Sequence, residues 1–333
     1  MPENKLLNSL LMRGAFAILV ILASLTINAS SQTQSDAALQ SSVVRVTHIL
    51  GFEDVPRNLS GDLLIEEKSL HFQHDGSASA QVNLSSIENI HVGEQDNQVG
   101  GVPMTLGKAA VPFGGGRVVS LFSHKKYDSL VLEYRDGQGG FHGAIFRLPK
   151  GQGVPLKDAL IAHGAHTAES EYPAGLQYPL QKAVQSQLWS VQVDPVDPGA
   201  TTLDPSFSVA IYENLVRDLK KTKRFQGVFR SGDRNGNVLE VLALKTVVEK
   251  YTAGSETTRA VTTVAGATKL KVRVQLVTHN GDVVLDRVID GNVRFIGDNL
   301  KATNKLASNT AKFLNQSRLS TPPAPTAEGG SAL

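Results

Sequence analysis

Nine histidines are the first residues here that could do chemistry, and four fall in two pairs, His71/His74 and His163/His166. A metal centre needs three or four donors converging on one ion. Neither pair has a His-Glu-x-x-His frame, and the chain has no cysteine. His71 lies on an expected strand, where positions three apart point to opposite faces. His163 and His166, near an expected helix end, are the better of the two pairs. The expectation is no metal centre and no bound cofactor. Nor is a nucleophile assembled: Ser120, His124 and Asp128 crowd one short segment, and no Gly-x-Ser-x-Gly elbow occurs. Gly114-Gly115-Gly116-Arg117 could cradle a phosphate if a helix followed, but the residues after Arg117 read as a strand. Gly93 to Gly116 reads as one long loop or lid. No catalytic residue is assigned, and the chain reads as a non-enzyme.

Cations offer the remaining chemistry. Lys269, Lys271 and Arg273 alternate with Leu270, Val272 and Val274, giving a strand one basic and one apolar face. Lys301, Lys305 and Lys312 share one side of an expected helix. Such rows are either solvated faces or contacts for anionic lipid head groups, worth ~1 kcal/mol per cation near a membrane surface. Over the whole chain 33 Lys and Arg meet 31 Asp and Glu, a formal charge of +2. That balance, without interleaved aromatics, excludes a nucleic-acid footprint.

The elements that must carry these residues are legible from periodicity. Leu63, Ile65, Leu70 and Phe72 alternate as a half-buried strand pair requires, and Val82, Leu84, Ile87 and Ile90 continue the pattern. Arg117–Phe122, Leu130–Tyr134 and His142–Leu148 read as three more strands, the last two joined by the glycine-rich Asp136–Gly140. Pro155–His163 reads as a closing helix. Further on, Leu188–Val193 reads as a strand, and Asp204-Pro205 as the N-cap and first residue of a helix with stripe Phe207, Ile211, Leu215, Val216 and Leu219. Val228–Arg230 and Val238–Lys250 flank Asn235-Gly236, a hairpin signal. Leu270–Leu276 turns through Asn280-Gly281 into Val283–Val293. Asp298 is the expected cap of a final helix with stripe Leu300, Thr303, Leu306, Ala307, Thr310, Phe313 and Leu314.

Hydrophobic residues make up 41% and charged residues 19%, which excludes wholesale disorder. Lys5 and Arg13 precede the apolar run Ala15–Ala23, extended by Leu25 and Ile27 and followed by small residues at Ala29, Ser30 and Ser31. This is the layout of a secretory signal peptide, shorter than the ~20 residues that span a bilayer. The alternative is an uncleaved helix anchored in the inner membrane. The expected organisation is a signal peptide (1–31), a flexible lead (32–42), a β domain (43–166), a polar linker (167–187), an α+β domain (188–319) and a disordered tail (320–333).

Gly61-Asp62-Leu63-Leu64-Ile65, Leu70-His71-Phe72 and Val82–Ile90 resemble strands of the pleckstrin-homology/GRAM superfold, which implies a PH-like β-barrel or sandwich closed by a helix. Leu215–Leu219, Phe225–Val228, Ala260–Lys269 and Val272–Val284 resemble a bacterial envelope family of unknown function, which implies an α+β sheet with two flanking helices. Many of its members are lipoproteins; without a cysteine, lipid attachment does not carry over. The fold class is then α+β in two domains. The expected function is that of an exported, periplasmic or secreted envelope protein, acting by non-enzymatic binding or scaffolding. The alternatives are a module for anionic envelope lipids and, less favoured, a metal-dependent or hydrolytic enzyme. Its partner would be an envelope protein or an anionic lipid, met at most peripherally to the membrane, and not nucleic acid.

Overall fold

The computed structural model describes residues 43–99, 123–167, 188–234, 241–253, 268–292 and 300–322. They form a mixed α+β structure with two sheets. The first sheet contains β1 (Val43–Leu50), β2 (Leu59–Glu66), β3 (Ser69–His74), β4 (Ser77–Asn83), β5 (Ile87–Val99), β6 (Ser123–Arg135) and β7 (Phe141–Pro149). Every pairing in it is antiparallel and the order is β4-β3-β2-β1-β7-β6-β5. Tight turns follow from local chemistry. Asp75-Gly76, at φ 51° and 76°, joins β3 to β4 as a two-residue hairpin turn with both centres left-handed. The Asp136 carboxylate accepts from the N–H groups of Gln138 and Gly140 at 2.8 and 2.9 Å and so shapes the expected β6–β7 loop.

This sheet bends. Phe72 on β3 and Phe146 on β7 lie three strand spacings apart, about 14 Å in a flat sheet, yet their rings are 6.2 Å apart. The bend encloses a core of Leu63, Leu70, Phe72, Leu84, Ile87, Leu130, Leu132 and Phe146. Helix α1 (Gly153–Ala162) adds Leu156 and Leu160 to it. The Asp128 carboxylate, 2.8 Å from the Gly153 N–H, serves as an acceptor at the start of α1.

The second sheet holds β8 (Ser190–Val193), β9 (Val228–Arg230), β10 (Val241–Thr252), β11 (Lys269–Val277) and β12 (Val283–Asp290), in the order β12-β11-β10-β8-β9. Helix α2 (Pro205–Thr222) connects β8 to its parallel neighbour β9, and α3 (Lys301–Gln316) follows β12. Both helices pack on the face that carries Val191, Leu244, Leu270, Val272, Val274 and Leu276. The Asp204 side chain caps α2 and Pro205 stands in its first turn, as expected.

Three expectations are corrected. The Asn235-Gly236 hairpin is not formed between β9 and β10, because β8 lies between them and β9 is outermost. A strand inserted in parallel between the two outbids the local turn signal. Part of the expected Gly93–Gly116 loop is strand, since Gly93–Val99 pairs with Ser123–Ser129. Helix α3 begins after Leu300, which has no side-chain capping bond. Asp298, the Gly114–Arg117 run, the Arg117–Phe122 strand, the 1–42 leader, most of the 167–187 linker and the tail beyond Pro322 lie outside the described residues.

Helix α2 is the element that joins the two sheets. Ile211, Leu215, Val216 and Leu219 face the second sheet, whereas Phe207, Val209 and Ala210 pack with Ile49, Val131 and Ile145 of the first. Contact with β7 is close because Gly143 has no side chain: a Cβ there would stand 2.4 Å from Val209 Cγ1. Replacing Gly143 by alanine should therefore destabilise the protein by about 1–3 kcal/mol, measured as a lowered urea midpoint with an unchanged slope.

A buried histidine gives a second prediction. His48 is fully buried, stacked on Phe52 at 5.3 Å, with Nε2 accepting from the Phe52 N–H and Nδ1 facing the Pro56 carbonyl at 3.1 Å. That pattern requires the neutral ring protonated on Nδ1, and burial holds its pKa below the usual 6.5. Because the unfolded chain takes up this proton first as pH falls, stability should decline below pH 6.5. His142, also held low by burial, adds to the same decline. Urea midpoints from pH 8 to pH 5 should show the loss, and His48→Gln should flatten part of it. A flat wild-type profile would contradict the neutral assignment.

Candidate functional site

The loop between β1 and β2, helix α2, helix α3 and strand β9 meet at one seam, and the polar residues there are tightly organised. Glu213 on α2 and Arg230 on β9 are each only 5% exposed. Arg230 donates to both Glu213 oxygens, at 2.8 and 2.9 Å, to the Phe141 carbonyl at 3.0 Å and to Glu53 Oε1 at 2.9 Å. Glu213 Oε1 also accepts from the Gly143 N–H at 2.9 Å. Burial alone would raise the pKa of Glu53, but hydrogen bonds from Arg230 and Lys220 bring it down to about 2. Arg230 is held above its ordinary value despite burial, because Glu213 faces it. Tyr212 completes the cluster, its hydroxyl accepting from the Ser231 N–H and its ring 5.8 Å from the Arg230 guanidinium.

A second group lies along the same seam. Arg57 of the β1–β2 loop donates to Asn304 Oδ1 at 2.8 Å and Asn214 Oδ1 at 2.6 Å. Arg217 donates to the same Asn304 oxygen at 3.3 Å and to Asp218 at 2.8 Å. Asn214 passes its N–H to Thr303, which in turn donates to the Leu300 carbonyl. Burial, and next the neighbouring Arg217 charge, depress the Arg57 pKa to about 10. Away from the seam, a cavity of about 230 Å³ sits at the β5 margin, lined by His91, Ser129, Lys157 and Asp204 among others.

The six residues expected to meet an anionic surface are exposed. They do not form one patch. Lys269, Lys271 and Arg273 project from the face of the second sheet opposite α2 and α3, while Lys301, Lys305 and Lys312 lie on α3 itself. The β11 row is also internally compensated: Arg273 lies 3.5 Å from Glu249 and 3.4 Å from Asp286, and Lys271 pairs in register with Asp290. Of the two histidine pairs, His74 faces the Ser60 carbonyl and Asp75, and His163 the carbonyl of Ala159. Among the described residues no group of three or more metal-ligating side chains converges.

Sequence reading missed Glu53, Arg57, Glu213, Asn214, Arg230 and Asn304. A signal was present for one of them. Val209-Ala210-Ile211-Tyr212 places apolar residues all round a helix turn, the mark of burial on every side, so the next residue, Glu213, had to find a buried cation.

No protein-family model matches the chain, and no curated protein matches it. Among solved structures, the PelC dodecamer from Paraburkholderia phytofirmans in space group P6 is similar at 16% identity, over 38% of this chain and 88% of that one, with a TM-score of 0.29. A leucine-to-methionine variant of the same dodecamer in space group C2 gives 16%, 41%, 94% and 0.31. Scores this low assign neither fold nor function.

Removing one partner of a buried pair leaves the other charge unmatched, at about 3–5 kcal/mol. Glu213→Ala should show that loss in urea denaturation. The double change Glu213→Leu with Arg230→Met should recover much of it, because an apolar pair leaves no charge stranded.

Proposed function

We propose that this protein is exported to the bacterial envelope and acts there, in the periplasm or outside the cell, as a non-enzymatic binding or scaffold protein. The carrying observation is the shared helix α2, which is buried against both sheets. Sharing it makes one body of two units, while among the described residues no element covers the outer face of β10–β12. Export is supported by the Lys5, Arg13 and Ala15–Ala23 layout. The strand order β4-β3-β2-β1-β7-β6-β5 with a helix directly after β7 supports a PH-like reading of the first unit. The second unit's sheet and two helices accord with the α+β envelope domain expected from its sequence. A docking protein would meet Val288, which is 40% exposed on the strand next to Arg273.

A second reading, contact with anionic lipid, is favoured by the exposure of Lys269 and Lys271. It is weakened by the acids beside Arg273.

Fractionation of the native host should find the protein outside the cytoplasm, shorter by roughly thirty residues. A photo-crosslinking residue placed at Val288 should give a discrete protein adduct there. Full-length protein confined to the cytoplasm would overturn the proposal. Salt-sensitive sedimentation with anionic vesicles, lost in the K269E/K271E/R273E variant, would move the assignment to the lipid reading.

A further inference from the structure

Every acid along the seam of the β1–β2 loop, α2 and α3 that contacts a cation is already committed. Glu213 serves Arg230, Glu53 serves Arg230 and Lys220, and Asp218 serves Arg217 and Lys221. Arg57 has no acid in hydrogen-bond contact among the described residues. It is half-buried and its hydrogen bonds reach two amide oxygens, those of Asn214 and Asn304. Arg217 shares the Asn304 oxygen with it, so two guanidiniums converge on one neutral acceptor. Each guanidinium carries five N–H donors. Among the described residues the pair's hydrogen bonds reach three side-chain oxygens, those of Asn214, Asn304 and Asp218, and the two like charges stand side by side with Asp218 as the one acid in hydrogen-bond contact.

We propose that Arg57 and Arg217, set across Asn304, form a binding site for a phosphoryl group. A carboxylate has two oxygens and satisfies one guanidinium fork, whereas a phosphoryl group has enough oxygens to engage two at once. Amide oxygens hold the Arg57 fork without neutralising it, and Asp218 is the one acid bonded to Arg217, so the pair keeps a net positive charge for an anion. Lys301, one turn before Asn304 on α3, and Lys305, beside it in sequence, are exposed and add positive potential to the approach. The site is separate from the β11 face and does not depend on the docking role proposed above.

Protein of residues 32–333 should be titrated calorimetrically with inorganic phosphate at an ionic strength fixed by chloride. Saturable binding is expected. Arg57→Gln or Arg217→Gln should weaken it at least about tenfold, the loss of one charged hydrogen bond. Arg57 ties distant segments together, so its variant could unfold; Asn304→Asp avoids that. It sets a carboxylate where both guanidiniums already meet, and should raise the thermal midpoint while removing phosphate binding. A parallel arm uses phosphatidylglycerol vesicles against phosphatidylcholine vesicles. Vesicle binding lost in Asn304→Asp identifies a lipid headgroup as the source of the phosphoryl group, and phosphate binding without vesicle binding identifies a free phosphorylated ligand. The absence of saturable phosphate uptake by the wild-type protein, or uptake undiminished in Asn304→Asp, would overturn the proposal.

Discussion

Helix α2 is buried on two opposite sides, and that fact puts a carboxylate where water does not reach. Glu213 faces the first sheet from a helix whose other side is packed on the second. A lone buried carboxylate would cost several kcal/mol and would take up a proton instead. Strand β9 supplies the answer in Arg230, which follows α2 in the same β–α–β unit. The ion pair is thus made within the second unit, yet its remaining hydrogen bonds reach back to Phe141, Gly143 and Glu53 of the first. Packing α2 between two sheets and solvating Glu213 are one problem with one solution.

An arginine is required there. Its fork reaches both Glu213 oxygens and still has donors for Glu53 and a backbone carbonyl, which a lysine ammonium cannot distribute in that geometry. Glu53 is half-exposed, so the network is not sealed, and Lys220 takes up its outer side. Gly143 is the steric counterpart of this electrostatic design. Its bare backbone lets Val209 approach and lets its N–H reach Glu213.

Local order was legible in the sequence wherever one residue's neighbours decide it. Alternation gave β2, β3 and β11, Asp204-Pro205 gave the start of α2, and the four-residue stripe gave the α2 face toward the second sheet. Long-range order was not legible. Nothing in Asn235-Gly236 reveals that β8, some forty residues earlier, slides between β9 and β10. The second face of α2 was hidden for a related reason: a stripe search stops once one apolar face is found, although Val209 and Ala210 already contradicted a single stripe. The candidate site was the least legible part. Arg57, Asn214, Arg217 and Asn304 are scattered over nearly 250 positions, and none has a type or spacing that marks it until three elements bring them together.

A formal charge of +2 conceals how the charges are sorted. Around α2 the acids point inward or sideways and are consumed by Arg230, Lys220, Arg217 and Lys221. The face of the second sheet away from the helices is different, for there Glu249 and Asp286 lie within 3.5 Å of Arg273 and Asp290 stands in register with Lys271. The β11 row that stands out in the sequence is therefore the better-compensated group of cations, and the inconspicuous Arg57 has no acid in hydrogen-bond contact among the described residues. Compensation depends on which acids the fold places within a few ångströms, and a sequence row carries no information about what is packed across from it. An electrostatic site in a chain of balanced composition is accordingly sought where burial has already claimed the counter-ions, not where cations are most numerous.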